Sequence, residues 1–405
     1  MRRAAVLLVL ALLASVVVDA APRAALGNHG GREVGSLFTC DRPVSPPRCT
    51  SVGDGLTHRV AFDASLTVGL ADSLRQAMAE AYDEPTKLRM IVESATSKLT
   101  DAIAFSDDYG ENGAAGWVYC PTAAPQGVNP SGDRWCRHQE IHFNLNPRYA
   151  AFFADDASRD HVTCHELGHT LGLRHWGNPP QTDGPEIAAT CMNSNTPDGP
   201  THLHQFDIDH INAYDYRRIP LPSSASGPPG PPRLLPWRGI VASTEAEPLA
   251  ASLAEMVDSA DAVVRGRIVA VVPGRVFGDR NDHPLHYASA TLEVEAVVAG
   301  ALPPAHRSSL TLEIPLFDGP SSIADLPAWG ESVFFLRNKG TSALEAGLSR
   351  SEVEAESAYY RLLIFTALIV NDAGVALTAD EPGPLARLSG RPFEAVAAAI
   401  RRARP

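Results

Sequence analysis

The sequence predicts an α+β protein with two domains, and three observations support this prediction. Between residues 58 and 219, helical and alternating apolar patterns are interleaved, as is typical of a mixed sheet packed with helices. A proline-rich stretch at 220–247 then interrupts the periodicity, which indicates a linker. From residue 248 to residue 405, strand-sized runs dominate and favour a smaller β-rich domain.

The first twenty residues have the pattern of a secretory signal peptide. Arg2 and Arg3 precede an apolar run from Ala4 to Val18, and small residues follow at a suitable place for cleavage before Ala21. A retained anchor is the alternative, but the run is short for a spanning helix. We therefore expect a secreted, extracellular protein, in which residues 21–57 form an N-terminal segment that could serve as a pro-region.

The net charge of the chain indicates which classes of partner are not expected. The formal net charge is −13 and no block of basic residues interrupts the acidic background. Because nucleic acids and anionic membranes attract basic surfaces, neither is expected as a partner. No stretch after the leader reaches the length of a membrane helix, and nothing in the sequence fixes the oligomeric state.

The region from residue 58 to residue 219 predicts a small domain with several short strands and helices. His58 to Phe62 suits a first strand, and apolar residues from Leu70 to Ala81 recur at helical spacing. Beyond Pro85, the apolar residues from Leu88 to Leu99 predict a second helix or a kinked extension of the first. The remaining predictions are strands at Ala102–Phe105 and Gly116–Cys120, an edge strand at Ile141–Leu145 and a closing helix at Phe206–Tyr216.

Residues 165–175 carry the strongest chemical signal. His165 and His169 are four apart, so on a helix both imidazoles leave one face and can share a metal ion. Gly172 can end the helix in a left-handed conformation and let the chain bring back His175 as a third ligand. Three imidazoles leave one tetrahedral position for water, and Glu166 is placed to take that water's proton. At this chain's residue frequencies the five identities would arise by chance with odds of roughly 10⁻⁴.

His161 is a competing ligand, because it also lies four residues from His165. Val162 follows it and supplies no base, and no glycine follows at the turn position. We therefore place His161 outside the site, near the start of the helix, with Ser158 or Asp160 as the N-cap.

The motif resembles that of the metzincin clan of zinc endopeptidases, and the resemblance extends downstream. These enzymes place a methionine in a tight turn below the zinc ligands, and Met192 follows the motif at a suitable distance. The resemblance implies a mixed sheet, an active-site helix, a Met-turn, a closing helix and an edge strand that pairs with extended substrate. One departure is Ser194, where some families have a tyrosine that assists the oxyanion. That stabiliser is then absent, or another group such as Tyr214 or Tyr216 supplies it.

The implied function is hydrolysis of peptide bonds by a secreted zinc endopeptidase. His165, His169 and His175 would hold the zinc, and Glu166 would assist attack of a zinc-bound water on protein or peptide substrates. Two alternatives remain open. One is a catalytically silent zinc-containing binding or adhesion protein, against which the intact Glu166 argues. The other is a zinc hydrolase with a non-protein substrate.

Six cysteines in an exported chain predict three disulfides, although the sequence leaves their connectivity open. Position favours the pairs Cys40–Cys49, Cys120–Cys136 and Cys164–Cys191. The last pair would tie the metal-binding helix to the methionine turn. Pro47-Arg48-Cys49 resembles the cysteine switch of matrix metalloproteinase propeptides, but the residues after it depart from that pattern.

The C-terminal region predicts a barrel or sandwich with a short helix near residue 252 and a final helix after Pro392. Its histidines, His283 among them, lack partner spacing and are expected on the surface. In the first domain, acidic and amide residues between Asp107 and Asn112 could suit calcium. They lack the EF-hand spacing, so we expect a solvated loop.

Overall fold

The structure of the protein is a computed structural model. It describes residues 53–121, 124, 126–128, 134–173, 190–193, 197, 199–213, 216, 219–220, 240–245, 252–278, 283–317, 319–320, 323, 330–364, 367–378 and 384–403. The predicted signal peptide, residues 21–52 with Cys40 and Cys49, and His175 lie outside these residues.

The first domain is built on a mixed six-stranded sheet. Its strand order is β2-β1-β3-β7-β4-β9, in which β2, β1, β3 and β7 are parallel while β4 and β9 alternate in direction. A small second sheet has the order β6-β5-β8. The strands are β1 Thr57–Phe62, β2 Arg89–Glu93, β3 Ala102–Asp107, β4 Ala114–Tyr119, β5 Gln126–Val128, β6 Arg134–Cys136, β7 Gln139–Asn144, β8 Ile219–Pro220 and β9 Ile240–Glu245.

Helices pack on the sheet and enclose the core of this domain. Helix α1, Val68–Gln76, continues as a π-helical turn over Ala77–Asp83, and a 3-10 helix covers Pro147–Phe153. Helix α2, Asp156–Thr170, carries the predicted ligands His165 and His169, and α3, Gln205–Ala213, is the closing helix that the sequence predicts. The apolar stripe of α1 contributes Leu70 and Leu74 to a core shared with α2.

Two predictions for this domain are wrong. The second helix after Pro85 is replaced by β2, whose β-branched Ile91 and Val92 suit an extended chain that pairs in parallel with β1. The stretch Ile141–Leu145 does not form an edge strand. It belongs to β7, which lies between β3 and β4 and is buried along its whole length. An alternating pattern therefore indicated the strand but not its place in the sheet.

The predicted linker also differs from the structure. Within 220–247, the backbone of β9 pairs antiparallel with β4 and extends the sheet of the first domain. The proline-rich composition ends before this segment, and Ile240-Val241-Ala242-Ser243-Thr244 has the residue types that favour strands. A connecting segment thus becomes part of the first domain's sheet.

The C-terminal domain is a closed barrel, which agrees with the β-rich prediction. Five strands close because β10 pairs with both β11 and β13, while β14 lies between β12 and β13. The strands are β10 Ala262–Phe277, β11 Leu285–Gly300, β12 Ser309–Leu316, β13 Ser332–Asn338 and β14 Tyr359–Leu362, with a hairpin of β15 Leu368–Asp372 and β16 Val375–Thr378 beside β13. The helices are α4 Leu253–Ser259, α5 Lys339–Glu345, α6 Arg350–Glu356 and α7 Phe393–Ala403.

The barrel packs against the first domain. Tyr109, Trp117 and Tyr119 of the first domain form one buried apolar cluster with barrel residues that include Leu285 and Tyr287. The Tyr287 hydroxyl donates to the Tyr109 carbonyl at 2.8 Å. The two domains are therefore joined by packing as well as by the chain. No helix among the described residues has the length and apolar character of a membrane span.

Candidate metal centre

The motif residues of helix α2 that the structure describes are buried inside the first domain. It is capped by Asp155, whose carboxylate accepts the Ser158 amide at 2.8 Å, so neither Ser158 nor Asp160 is the N-cap. The helix ends at Thr170, and Gly172 follows with a φ of +88°. That left-handed conformation suits glycine, as the sequence predicts.

His165 and His169 turn the same edge of their rings toward one another. Their Nε2 atoms are 2.9 Å apart and both side chains are buried. The Nδ1 atom of His165 lies 2.8 Å from the Cys191 carbonyl, and that of His169 lies 2.7 Å from the Leu173 carbonyl. A carbonyl oxygen can only accept a hydrogen bond, so each Nδ1 carries the hydrogen and donates it, and each Nε2 carries the lone pair.

This arrangement fits a metal ion. Two lone pairs that face each other in a buried site repel one another. A cation bound between them removes this repulsion, because both lone pairs then coordinate it. The carbonyls of Cys191 and Leu173 fix the tautomer and the ring orientation, as outer partners do for ligating imidazoles. No group of three potential ligands converges within the described residues. His175, the predicted third ligand, is not among them.

Glu166 lies against strand β4. A Cβ added to Gly116 would come within 2.6 Å of the Glu166 Oε1 atom, so only glycine lets the strand pass this closely. Glu166 itself is buried. The carboxylate is thus held between α2 and the backbone of β4, one residue from a predicted ligand.

Met192 lies beneath α2, where the resemblance implied a methionine. A Cβ at Gly168 would overlap the Met192 sulfur and lie 2.7 Å from the Tyr82 hydroxyl. The helix, Met192 and Tyr82 are therefore in close van der Waals contact. The Tyr82 hydroxyl donates to the Cys164 carbonyl at 2.7 Å. This packing gives Met192 a supporting position, not a ligand's.

Two of the three predicted disulfides fall within the described residues, and both form. Cys120 bonds to Cys136, and Cys164 bonds to Cys191. The second bond joins the residue before His165 to the residue before Met192, and Cys191 also supplies the carbonyl that orients His165. The pair Cys40–Cys49 lies outside the described residues.

Residues from β1 and β7 hold the end of α2, and no sequence pattern pointed to them. The His58 Nε2 atom lies 2.9 Å from the Thr170 hydroxyl, and the Gln139 amide donates to the Thr170 carbonyl at 2.8 Å. Burial lowers the pKa of His58 to about 4, although Asp54 raises it. His58 is therefore a neutral hydrogen-bonding residue at physiological pH.

His161 lies outside the pair formed by His165 and His169. Its Nδ1 atom is 2.7 Å from the Pro200 carbonyl, and its ring centroid is 6.2 Å from that of His165. It is buried in the second turn of α2, so the expectation that it sits at the helix start is wrong.

A buried polar cluster connects the two domains and was also missed. Glu140 lies 3.0 Å from the His142 Nε2 atom and 3.1 Å from the His283 Nδ1 atom, and it accepts the Tyr119 hydroxyl. Burial alone raises the pKa of Glu140, but the hydrogen bonds from both histidines lower it to about 2. His283 is therefore an interface residue and not simply a surface one.

The segment that could have suited calcium is covered by the barrel. Glu111 accepts a hydrogen bond from the Arg361 Nε atom at 2.6 Å, and both side chains are buried. The Asn112 side chain accepts the Ala114 amide at 2.9 Å. The expectation of a solvated loop is wrong for these residues, because the sequence could not reveal that the second domain packs there.

The predicted oxyanion group is not identified by the described residues. Tyr216 lies in the apolar core, where burial raises the pKa of its phenol. That position argues against contact with a substrate. Tyr214 lies outside the described residues.

Comparison with known proteins adds little to this site. No family model and no curated protein matches the chain by sequence. Among solved structures, the chain is similar to high choriolytic enzyme 1, a hatching enzyme zinc-protease from the medaka Oryzias latipes, at 14% identity and a TM-score of 0.23. That match covers 38% of this chain and 87% of the other. It is similar to myroilysin at 13% identity and a TM-score of 0.23, covering 40% and 84% of the two chains. Scores this low leave the assignment to the residues of the site.

Proposed function

We propose that the protein is a secreted zinc-dependent endopeptidase. The observation that carries the proposal is the convergence of the His165 and His169 Nε2 atoms on a helix that also bears Glu166. Their Nδ1 atoms are both engaged by backbone carbonyls, which orients the rings for a cation. With His175 as a third ligand, the set leaves an open position, as catalytic zinc sites do.

The residues of the chain divide the chemistry in a simple way. Zinc held by the three histidines would supply Lewis acidity for the scissile carbonyl and for the attacking water. Glu166 takes a proton from that water, whose oxygen forms the new bond to the scissile carbon, and delivers it to the amine nitrogen as the C–N bond breaks. Strand β4, next to Glu166, would hold an extended peptide by main-chain hydrogen bonds.

Metal analysis and proteolysis together test this proposal. We expect zinc in stoichiometric amount in the purified chain, its loss from a His165→Ala/His169→Ala variant, and cleavage of casein that a chelator abolishes. Glu166→Ala should retain the metal but lose roughly 10²–10⁴-fold in turnover. The exposed Glu80 offers a matched control, and Glu80→Ala should leave the rate unchanged.

The two alternatives give different outcomes in the same experiment. A silent zinc-containing binding protein would hold zinc but cleave nothing, and Glu166→Ala would then have no measurable effect. A hydrolase of another class would leave casein intact and act on a non-protein ester or amide in a substrate panel. Mass spectrometry of the secreted chain would test cleavage before Ala21 and removal of residues 21–57.

A further inference from the structure

Among the described strands of the first domain, β9 is the one that pairs with the outer edge of β4. On its other side β4 pairs with β7. The segment Ile240–Glu245 pairs antiparallel with β4, with Gly116 opposite Thr244 and Val118 opposite Ala242. Helix α2 also contacts β9. A peptide segment of the chain itself therefore lies along the strand next to Glu166.

We propose that β9 is a built-in competitor that occupies the peptide-binding edge of β4 and must leave before a substrate can bind. The inference rests on the proposed function, since it names the regulation of that same site. An extended peptide binds a sheet edge through main-chain hydrogen bonds, which depend little on sequence. Two strands cannot use the same edge of β4 at once, so β9 and substrate exclude one another.

The position of Gly116 places β4 beside the proposed general base. The strand's backbone at Gly116 lies against the Glu166 carboxylate, because a Cβ at this position would come within 2.6 Å of the carboxylate oxygen. Thr244 of β9 pairs with Gly116, the residue of β4 that lies against Glu166. A peptide bond presented at that position is beside the group that would activate water.

The pairing of β9 has features of a strand that can be displaced. Its register with β4 shifts twice, between Ala114 and Gly116 and again between Val118 and Tyr119. Such irregularities interrupt the ladder and leave groups unpaired, which weakens a strand of six residues. Because β9 is tethered, its effective concentration at the edge is roughly millimolar, so it can compete even with weak pairing.

Proline substitution in β9 tests the competition in the full chain. Ala242→Pro/Ser243→Pro removes two consecutive backbone donors, at least one of which faces β4 in an antiparallel ladder. The matched control is Ala242→Ser/Ser243→Ala, which exchanges the side chains and keeps both donors. We expect faster amide exchange across residues 114–119 in the proline variant only, and a fall in KM for short peptides of about tenfold.

Peptide binding separates this inference from the proposed function. A synthetic peptide with the sequence of residues 240–245 should bind the proline variant, restore slow exchange at residues 114–119, and bind the unmodified chain at least tenfold more weakly. If that holds but neither chain cleaves casein, the proposed peptidase function fails while the occupancy of the edge stands. Equal binding to both chains overturns the inference.

A second measurement covers the case in which the proline variant does not fold. In Glu166→Ala, slow turnover allows a casein-derived peptide to remain bound, and amides of residues 240–245 should then exchange faster than in the peptide-free protein. Unchanged slow exchange at 240–245 in the peptide complex would mean that β9 is a permanent strand of the sheet, which contradicts the proposal.

Discussion

The two large sheets of the protein differ in whether their strands close into a barrel or leave an open edge. In the C-terminal domain, β10 pairs with β11 on one side and β13 on the other, so the five barrel strands close on themselves. In the first domain the sheet stays open, and the edge nearest Glu166 is covered only by the short strand β9 among the described residues. Closure removes a site for strand addition, whereas an open edge preserves one.

The difference is also seen in how the core of each domain is arranged around its sheet. The barrel core includes Val263, Ala290, Leu312 and Phe334 and has its own closed packing. The open sheet places Gly116 and Val118 of β4 toward α2, and Trp117 and Tyr119 toward the barrel. Strand β4 thus faces Glu166 and α2 on one side and the barrel on the other.

The largest expected effect comes from breaking the contact between closed barrel and open sheet. Arg361→Met would leave Glu111 buried without its main cationic partner, and the loss of one member of such a pair costs about 3–5 kcal/mol. We expect this loss in the free energy of unfolding measured by urea titration. Adding Glu111→Gln removes the stranded charge, so the double variant should regain most of the stability. A loss that the second substitution does not reduce would contradict the ion-pair explanation.

A smaller effect should follow from a methyl group on the open side of β4. Gly116→Ala places a Cβ where the Glu166 carboxylate lies, and a displacement of about 1 Å at a catalytic group can cost about 10²-fold in rate. Peptide turnover should fall while the metal content stays unchanged. Gly55→Ala, where an added Cβ meets no atom within 4 Å, is the matched control. A Gly116→Ala enzyme with full activity would show that Glu166 does not need its present position.

The smallest expected effect is a loss of stability in acid, which we attribute to His58 in the open sheet. Burial lowers the pKa of His58 to about 4, whereas an unfolded histidine has a pKa of about 6.5. The unfolded chain therefore binds more protons as the pH falls below this value, and stability decreases. The contribution of His58 to this loss between pH 7 and pH 5 should be about 2 kcal/mol, while the pKa of Asp101, raised by burial to about 8, acts in the opposite direction. His58→Gln, measured by urea unfolding at both pH values, should reduce this dependence. An equal slope in variant and parent would assign the effect elsewhere.

The sequence predicted what local pattern and spacing determine. The α+β class, the helix that bears His165 and His169, the glycine that ends it, and the pairing of Cys164 with Cys191 all follow from residues close in the chain or from motif spacing. The β-rich character of the C-terminal domain, as a barrel or a sandwich, followed from alternating runs such as Leu292 to Val298, which lie in β11.

The parts that were missed depend on which segments meet across long separations. Nothing local in β9 says that it pairs with β4, and nothing near Glu111 says that Arg361 will cover it. The apolar stretch after Pro85 has residues that fit either period, and pairing with β1 decided for a strand. Likewise, the hydrogen bonds from His58 and Gln139 to Thr170 arise only once the sheet has formed.

The aromatic contact between the domains bears on how freely this barrel could be exchanged for another module. Trp117 and Tyr119 are buried against the barrel, so a first domain cut loose in the proline-rich stretch would show an apolar patch to water. A replacement module would have to present a matching surface at the positions of Leu285 and Tyr287. The two domains therefore form one packing unit, even though the sequence between them resembles a linker.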